Sequence, residues 1–136
     1  MLTISDAQTI LDENFAVWVR ALQPQVTSID TQAAVLEIPI TADIARVGGI
    51  VSGQALATLA DTAMVFACIG HVQSFEPVST VTLDTQFLRP GVGDKIVARA
   101  EVLRAGKAMI FARCMLTALP SGKEVASATA TFARPA

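Results

Sequence analysis

Asp61 is the only charged side chain between Gly53 and Gly70, in the segment GQALATLADTAMVFACIG. A carboxylate in such apolar surroundings is expensive to desolvate unless it is paired or put to use. Two roles fit it. It is either a structural acid that pairs with an arginine or caps a loop, or a general base or nucleophile in a cleft that tunes its acidity. Gln54, Thr58 and Asp61 fall at i, i+4 and i+7, which is one face of a helix. A polar stripe on an otherwise apolar helix faces a solvent-filled cleft or a subunit interface, and both suit a site built between two copies of the chain.

A second chemical element lies just upstream. Gly48-Gly49-Ile50-Val51-Ser52-Gly53 leads directly into the predicted helix. The first N–H groups of a helix lack internal partners and sit at the positive end of its dipole, so they suit an anion or a developing oxyanion. Ser52 is placed as the N-cap, and Gly53 leaves room for a carbonyl to approach. An ordinary capped helix with a glycine-rich approach has the same look. Asp61 two turns further on gives the pair its weight.

Other reactive residues are sparse. Cys68 and Cys114 show no CxxC spacing and read as buried free thiols. His71 is the only histidine, and no Cys/His/carboxylate cluster has metal-ligand spacing, so no metal site is expected. The formal net charge is −2, but unevenly spread. Residues 1–88 hold two arginines against nine acids, net −7, and residues 89–136 hold eight Lys/Arg against three acids, net +5. That is either chance distribution over solvated faces or a local basic rim for an anionic ligand. Negative total charge and 5% aromatic content argue against nucleic acid.

The elements that must position these residues follow from patterning. The 136 residues suit one domain, spanning 1–136. With 52% hydrophobic and only 16% charged residues, the chain has apolar surface to share with a partner, most simply a second copy. Residues 5–14 fit a short helix opened by a Ser-Asp cap, 16–29 an extended segment interrupted near Pro24, 33–40 a strand and 41–52 a loop in which Gly48-Gly49 needs unusual backbone freedom. Residues 53–70 form the long helix, which stops at Gly70 and is apolar almost all round, as a wrapped helix is. The Ala/Val-rich run 55–70, broken by Thr58, Asp61 and Thr62, is too short and too polar to span a membrane. Four strands follow, near 79–88, 95–104, 108–118 and 124–133, read as an antiparallel meander. Alternation in the first puts Val81, Leu83 and Phe87 on one face and Thr80, Thr82, Asp84 and Gln86 on the other. The expected architecture is α+β, one curved antiparallel sheet wrapped around the central helix. The N-terminus has no basic region or continuous apolar core of a signal peptide, so the cytoplasm is the expected compartment.

The segments GGIVSGQALATLADTAM and VSTVTLDTQFLRPGVGDKIVARAEVLRAGKAMIFARCMLTALPSGKEVASATATF resemble the hotdog-fold acyl-CoA thioesterases of the phenylacetate-pathway and 4-hydroxybenzoyl-CoA type. The resemblance covers roughly residues 15–133. It implies a homodimer with a continuous sheet, usually doubled into a dimer of dimers, with active sites at the dimer interface. It implies CoA as part of the substrate, with no separate cofactor. It makes Asp61 the general base or nucleophile, the Gly53 N–H the oxyanion donor, and Thr80 the hydroxyl that orients water or the carboxylate. Arg89, Arg104 and Lys107 lie where such proteins often meet the CoA phosphates, and equally read as solvated charges. Ser52, Gln54 and Thr58 complete the expected substrate contacts.

Two positions depart from the family. The usual His-Gly-Gly is Ser52-Gly53-Gln54 here, and the Asn or Gln six residues before that His is Arg46. Gln54 offers an amide from a new position. Arg46 is either a binding group for a carboxylate on the acyl chain or a counter-ion that neutralises Asp61. The departures keep a second reading in play, a non-catalytic module that binds acyl-CoA or only assembles. A hydratase would need a catalytic His, and His71 lies at the wrong end of the helix. Phe66, Met64, Phe75 and Phe87 are candidate pocket walls that also read as plain core.

Overall fold

The long apolar segment is a helix, and the rest of the chain is arranged to bury it. The structure is a computed structural model that describes residues 1–136. In chain order the elements are α1 (Ile4–Asn14), α2 (Val17–Arg20), β1 (Gln25–Ile29), β2 (Ala34–Pro39), β3 (Ala45–Arg46), β4 (Ile50–Val51), α3 (Gly53–Val72), β5 (Ser79–Phe87), β6 (Lys95–Ala105), β7 (Met109–Leu119) and β8 (Lys123–Ala133). Six strands make one sheet in the order β1-β2-β6-β7-β8-β5, and every neighbouring pair is antiparallel. The sheet curves around α3, as the α+β reading requires.

Two-residue periodicity explains the core. On β6 and β7 alternate residues are buried, Ile96, Ala98 and Ala100 on one and Ile110, Ala112, Cys114, Leu116 and Ala118 on the other. These side chains face the helix, and their small size lets α3 lie close to the sheet. Leu59, Met64, Phe66 and Ile69 of α3 are fully buried against them, each stabilising the fold by about 1.5–3 kcal/mol. Between its two ends, from Gln54 to Gly70, only the stripe Gln54, Ala57, Thr58, Asp61 and Val65 is left uncovered or partly covered. Met64 and Phe66 are therefore core, as their apolar character allowed.

Several details differ from the sequence reading. Residues 16–22 are not extended. Phe15 stacks its ring on Phe66 with centroids 5.3 Å apart, and the chain turns back through the short helix α2, closed by a 2.9 Å hydrogen bond from Arg20 Nε to the Phe15 carbonyl. That tertiary anchor overrides the strand preference of Val17 and Val19. The cap of α1 is Thr3, in a reciprocal capping box with Asp6, rather than Ser5. The 41–52 segment is a miniature hairpin of β3 and β4, turned by Gly48 and Gly49 at φ +92° and +72°. The four late strands are not a simple meander, because β5 crosses to the far edge and pairs with β8.

The helix also runs past Gly70 to Val72, ending on Gln73 in the left-handed conformation. At 20 residues and a mean hydropathy of 1.6 it is long and apolar enough, by length and composition alone, to cross a membrane, contrary to the sequence expectation. In this fold its apolar surface is taken up by the sheet. Gly70 serves close approach instead of termination, since a Cβ there would stand 2.5 Å from the Asp30 carbonyl oxygen and 2.9 Å from Ile29 Cγ1. Gly70→Ala is expected to push α3 away from the end of β1 and to cost about 1–3 kcal/mol, read as a lowered thermal midpoint. An unchanged midpoint would mean that this contact does not limit helix placement.

Candidate active site

Asp61 and Thr80 meet because of a bulge. Plain alternation along β5 puts Thr80 with Thr82, Asp84 and Gln86. In the observed register Thr80 stands opposite Phe132 and Thr82 opposite Thr131, so Val81 is an extra residue in the ladder. Phe132 is fully buried on the helix side. Thr80 is thereby turned to the helix side, away from Thr82, Asp84 and Gln86, which corrects the expected face assignment. Its Oγ1 donates a 2.9 Å hydrogen bond to Asp61 Oδ1.

Asp61 occupies the uncovered stripe of α3 and is partly buried. Burial pushes its carboxyl above the usual carboxylate range, and the Thr80 hydroxyl partly offsets this by favouring the ionised form. None of the four ion pairs in the chain includes Asp61. The carboxyl opens on a cleft of about 170 Å³ whose walls include Phe15, Trp18, Thr58, Val65 and Leu83. Thr58 turns its hydroxyl onto the Gln54 carbonyl at 2.8 Å. Trp18 escaped the sequence reading because its segment looked extended, although being the only tryptophan in the chain was a signal.

The start of α3 forms a second cleft, of about 350 Å³, whose lining includes Arg46, Val51, Gly53, Phe87, Leu88 and Arg89. Ser52 caps the helix as expected, its Oγ accepting from the Ala55 N–H at 3.2 Å. Gly53 is the first helical residue, so its N–H has no partner within the helix. A Cβ on Gly53 would lie 3.3 Å from the Phe87 ring, so glycine keeps this slot open. Phe87 is a pocket wall, while Phe75 lines neither cleft. Gln54 is exposed in a shallow groove with Gly53, Ala57 and Phe87.

Two groupings expected from sequence do not form within one chain. Arg46 makes no ion pair with Asp61; its one side-chain hydrogen bond goes to the Val47 carbonyl at 3.4 Å. The counter-ion reading of Arg46 therefore has no support inside the chain. The basic residues also divide. Arg89 lies at the Val125 end of β8, while Arg104 lies across β7 from Thr131 and Lys107 lies in the turn beyond it. Six residues of strand separate the two ends by about 20 Å. Cys68 and Cys114 are buried free thiols, both pushed up to about 12 by burial, and are not poised for chemistry.

A long helix enclosed by a curved antiparallel sheet is the hotdog fold. Residues 48–125 match the Thioesterase superfamily, and the chain belongs to it. It is 38% identical over 90 residues to the acyl-coenzyme A thioesterase PaaI of Escherichia coli strain K12, a match covering 65% of this chain and 61% of that protein. The chain thus matches less than two thirds of that curated relative's length. Among solved structures, the E. coli PaaI protein from the phenylacetic acid degradation operon superposes with a TM-score of 0.84 at 26% identity, covering 97% of this chain and 92% of that one. Zebrafish thioesterase superfamily member 2 superposes with a TM-score of 0.86 at 24% identity, covering 99% and 100% of the two chains.

The raised proton affinity of Asp61 has a consequence for stability. A folded-state value above the unfolded one means that the folded chain holds the proton more tightly. Stability is then greatest below the unfolded value and falls as pH rises through the folded value. At neutral pH the ionised carboxylate is a cost, so Asp61→Asn is expected to raise the thermal midpoint at pH 7 and to narrow its advantage at acid pH. Equal midpoints at both pH values would show that the carboxyl is not desolvated.

Proposed function

We propose that the chain hydrolyses an acyl-CoA thioester to the free acid and CoA. The observation that carries this is the partly buried, cation-free carboxyl of Asp61, held by Thr80 at the wall of an apolar cleft. In its ionised form Asp61 removes a proton from water attacking the thioester carbonyl, or attacks that carbonyl itself. The Gly53 N–H receives the charge that develops on the carbonyl oxygen. Collapse of the tetrahedral intermediate breaks the C–S bond and releases CoA as the thiolate, which takes up a proton; where Asp61 is the nucleophile, water then hydrolyses the acyl anhydride left on it, freeing the acid and restoring the carboxylate.

Helix geometry supports a site shared between two chains. Gly53 and Asp61 are eight residues apart on α3, about 12 Å along its axis. One thioester carbonyl cannot lie within hydrogen-bonding distance of both. A second copy, turned so that its α3 runs alongside, brings the Gly53 of one chain to the Asp61 of the other. Exposed apolar residues flank this face, among them Val17, Trp18, Val81 and Phe87. The reading is therefore a homodimer, doubled into a dimer of dimers, acting on CoA esters in the cytoplasm. Arg104 and Lys107, together at one end of the sheet, are the groups proposed to meet the CoA phosphates.

A mixing experiment tests the shared site. Asp61→Asn removes the base, and Gly53→Pro removes the N–H at a first helical position, where proline is tolerated. Each variant alone is expected to release no thiol from a panel of acyl-CoAs. Refolding them together should restore up to about a quarter of the wild-type rate per chain, because half of one dimer in two has an intact pair. No recovery in a verified mixed dimer would place both groups in one chain's site and refute the arrangement.

Thr80→Val tests the hydroxyl. The hydrogen bond favours the ionised carboxylate, so removing it raises the proton affinity of Asp61 further. The acid limb of the kcat/KM profile is expected to move to higher pH, with the rate recovering at alkaline pH. A uniformly lowered profile without a shift would mean that Thr80 acts on something other than Asp61.

A further inference from the structure

The cleft at Gly53 is cationic in a way that thioester hydrolysis alone does not require. None of its ten lining residues is acidic, and two of them, Arg46 and Arg89, carry guanidinium groups. Neither takes part in any of the chain's ion pairs, although the chain as a whole is acidic, at −2. Both are held in place by backbone. Arg46 on β3 pairs with Ile50 on β4, and the hairpin is tied to its surroundings by Ser52 N–H to the Ile44 carbonyl at 2.8 Å and Val51 N–H to the Gly91 carbonyl at 2.9 Å. Arg89 donates from Nη1 to the Glu124 carbonyl at 2.8 Å, which fixes the guanidinium and leaves its remaining donors unused.

The side chains of the remaining walls are apolar, among them Ile50, Val51, Leu56, Phe87 and Leu88. A ligand that fits has an apolar body and an anionic end. The distance from the thioester discriminates between sources of that anion. The Gly53 slot, where the carbonyl would sit, opens into the same cleft as Arg46, whereas the phosphates of CoA lie a full pantetheine arm from the sulfur.

We propose that Arg46, assisted by Arg89, selects acyl-CoA thioesters whose acyl group ends in a carboxylate, that is, CoA monoesters of dicarboxylic acids. This rests on the hydrolase reading above and specifies its substrate class. A carboxylate gains a charge-assisted, geometrically forked interaction with a guanidinium. A neutral acyl group of the same length gains no such interaction.

The test compares matched pairs on the full chain: succinyl-, glutaryl- and adipoyl-CoA against butyryl-, valeryl- and hexanoyl-CoA. In at least one pair the carboxylate ester is expected to have a kcat/KM at least tenfold higher. Arg46→Gln should cut that ratio at least tenfold, and the cut should persist with the 3′-dephospho forms of the same two thioesters. Ratios near one for all pairs in the wild type overturn the proposal. So does an equal loss on both members of a pair, or a loss that disappears with the dephospho forms, since either assigns Arg46 to the CoA portion. Calorimetric binding of the same pairs to Asp61→Asn separates the two readings. If the wild type cleaves no thioester, the hydrolase reading fails, and a tenfold binding preference that depends on Arg46 still supports, or its absence overturns, the assignment of Arg46.

Discussion

A twenty-residue helix must be buried by a sheet of only six strands, and the rest of the molecule follows from that constraint. The sheet meets it with small residues. Ala98, Ala100, Ala112, Ala118, Ala126, Ala128 and Ala130 carpet the face toward α3, and Gly70 lets the helix touch the backbone at Asp30. Close approach maximises dispersion contact, but it also uses up the sheet. Covering α3 from β1 across to β5 leaves one narrow face open. The open face is where Asp61 stands, so the burial problem and the location of the proposed chemistry have one solution.

That placement sets the electrostatics. A carboxyl on the core side of α3 would be fully desolvated and held as the neutral acid, and on a free surface it would be an ordinary acid. At the margin, apolar neighbours raise its proton affinity while one hydroxyl pulls it back. The proposed oxyanion slot obeys the same geometry. Gly53 begins the helix at the end where β5 runs out at Phe87, so a single strand borders both clefts. The lone-chain separation of the two groups follows from the rise of the helix and not from any side-chain choice.

Much of this was legible in the residues. An isolated acid in an apolar helical run, preceded by a glycine-rich approach and a serine cap, marked α3, Asp61, Ser52 and Gly53, and the alternation of the later strands marked the sheet. Features that depend on distant partners were not legible. The stacking of Phe15 on Phe66 folds residues that look extended into α2. The pairing of β5 with β8, forty-odd residues downstream, decides which edge it occupies. Gly70 looked like a stop because helices often end at glycine, whereas the reason for it lies in Asp30, far away in sequence. The two-residue strands around Gly48-Gly49 are too short to leave any periodicity at all.

The bulge at Val81 places Thr80 by count, not by kind. A strand has only two faces, so one additional residue on the sheet edge decides whether every residue before it looks at the helix or at the outside. The hydroxyl that steadies Asp61 is thus specified by the length of a segment as much as by its composition. Descendants of this chain could gain or lose that hydroxyl through a single-codon insertion or deletion while every residue of the site stayed the same. Comparison of relatives column by column at this strand would then align threonines that face opposite ways.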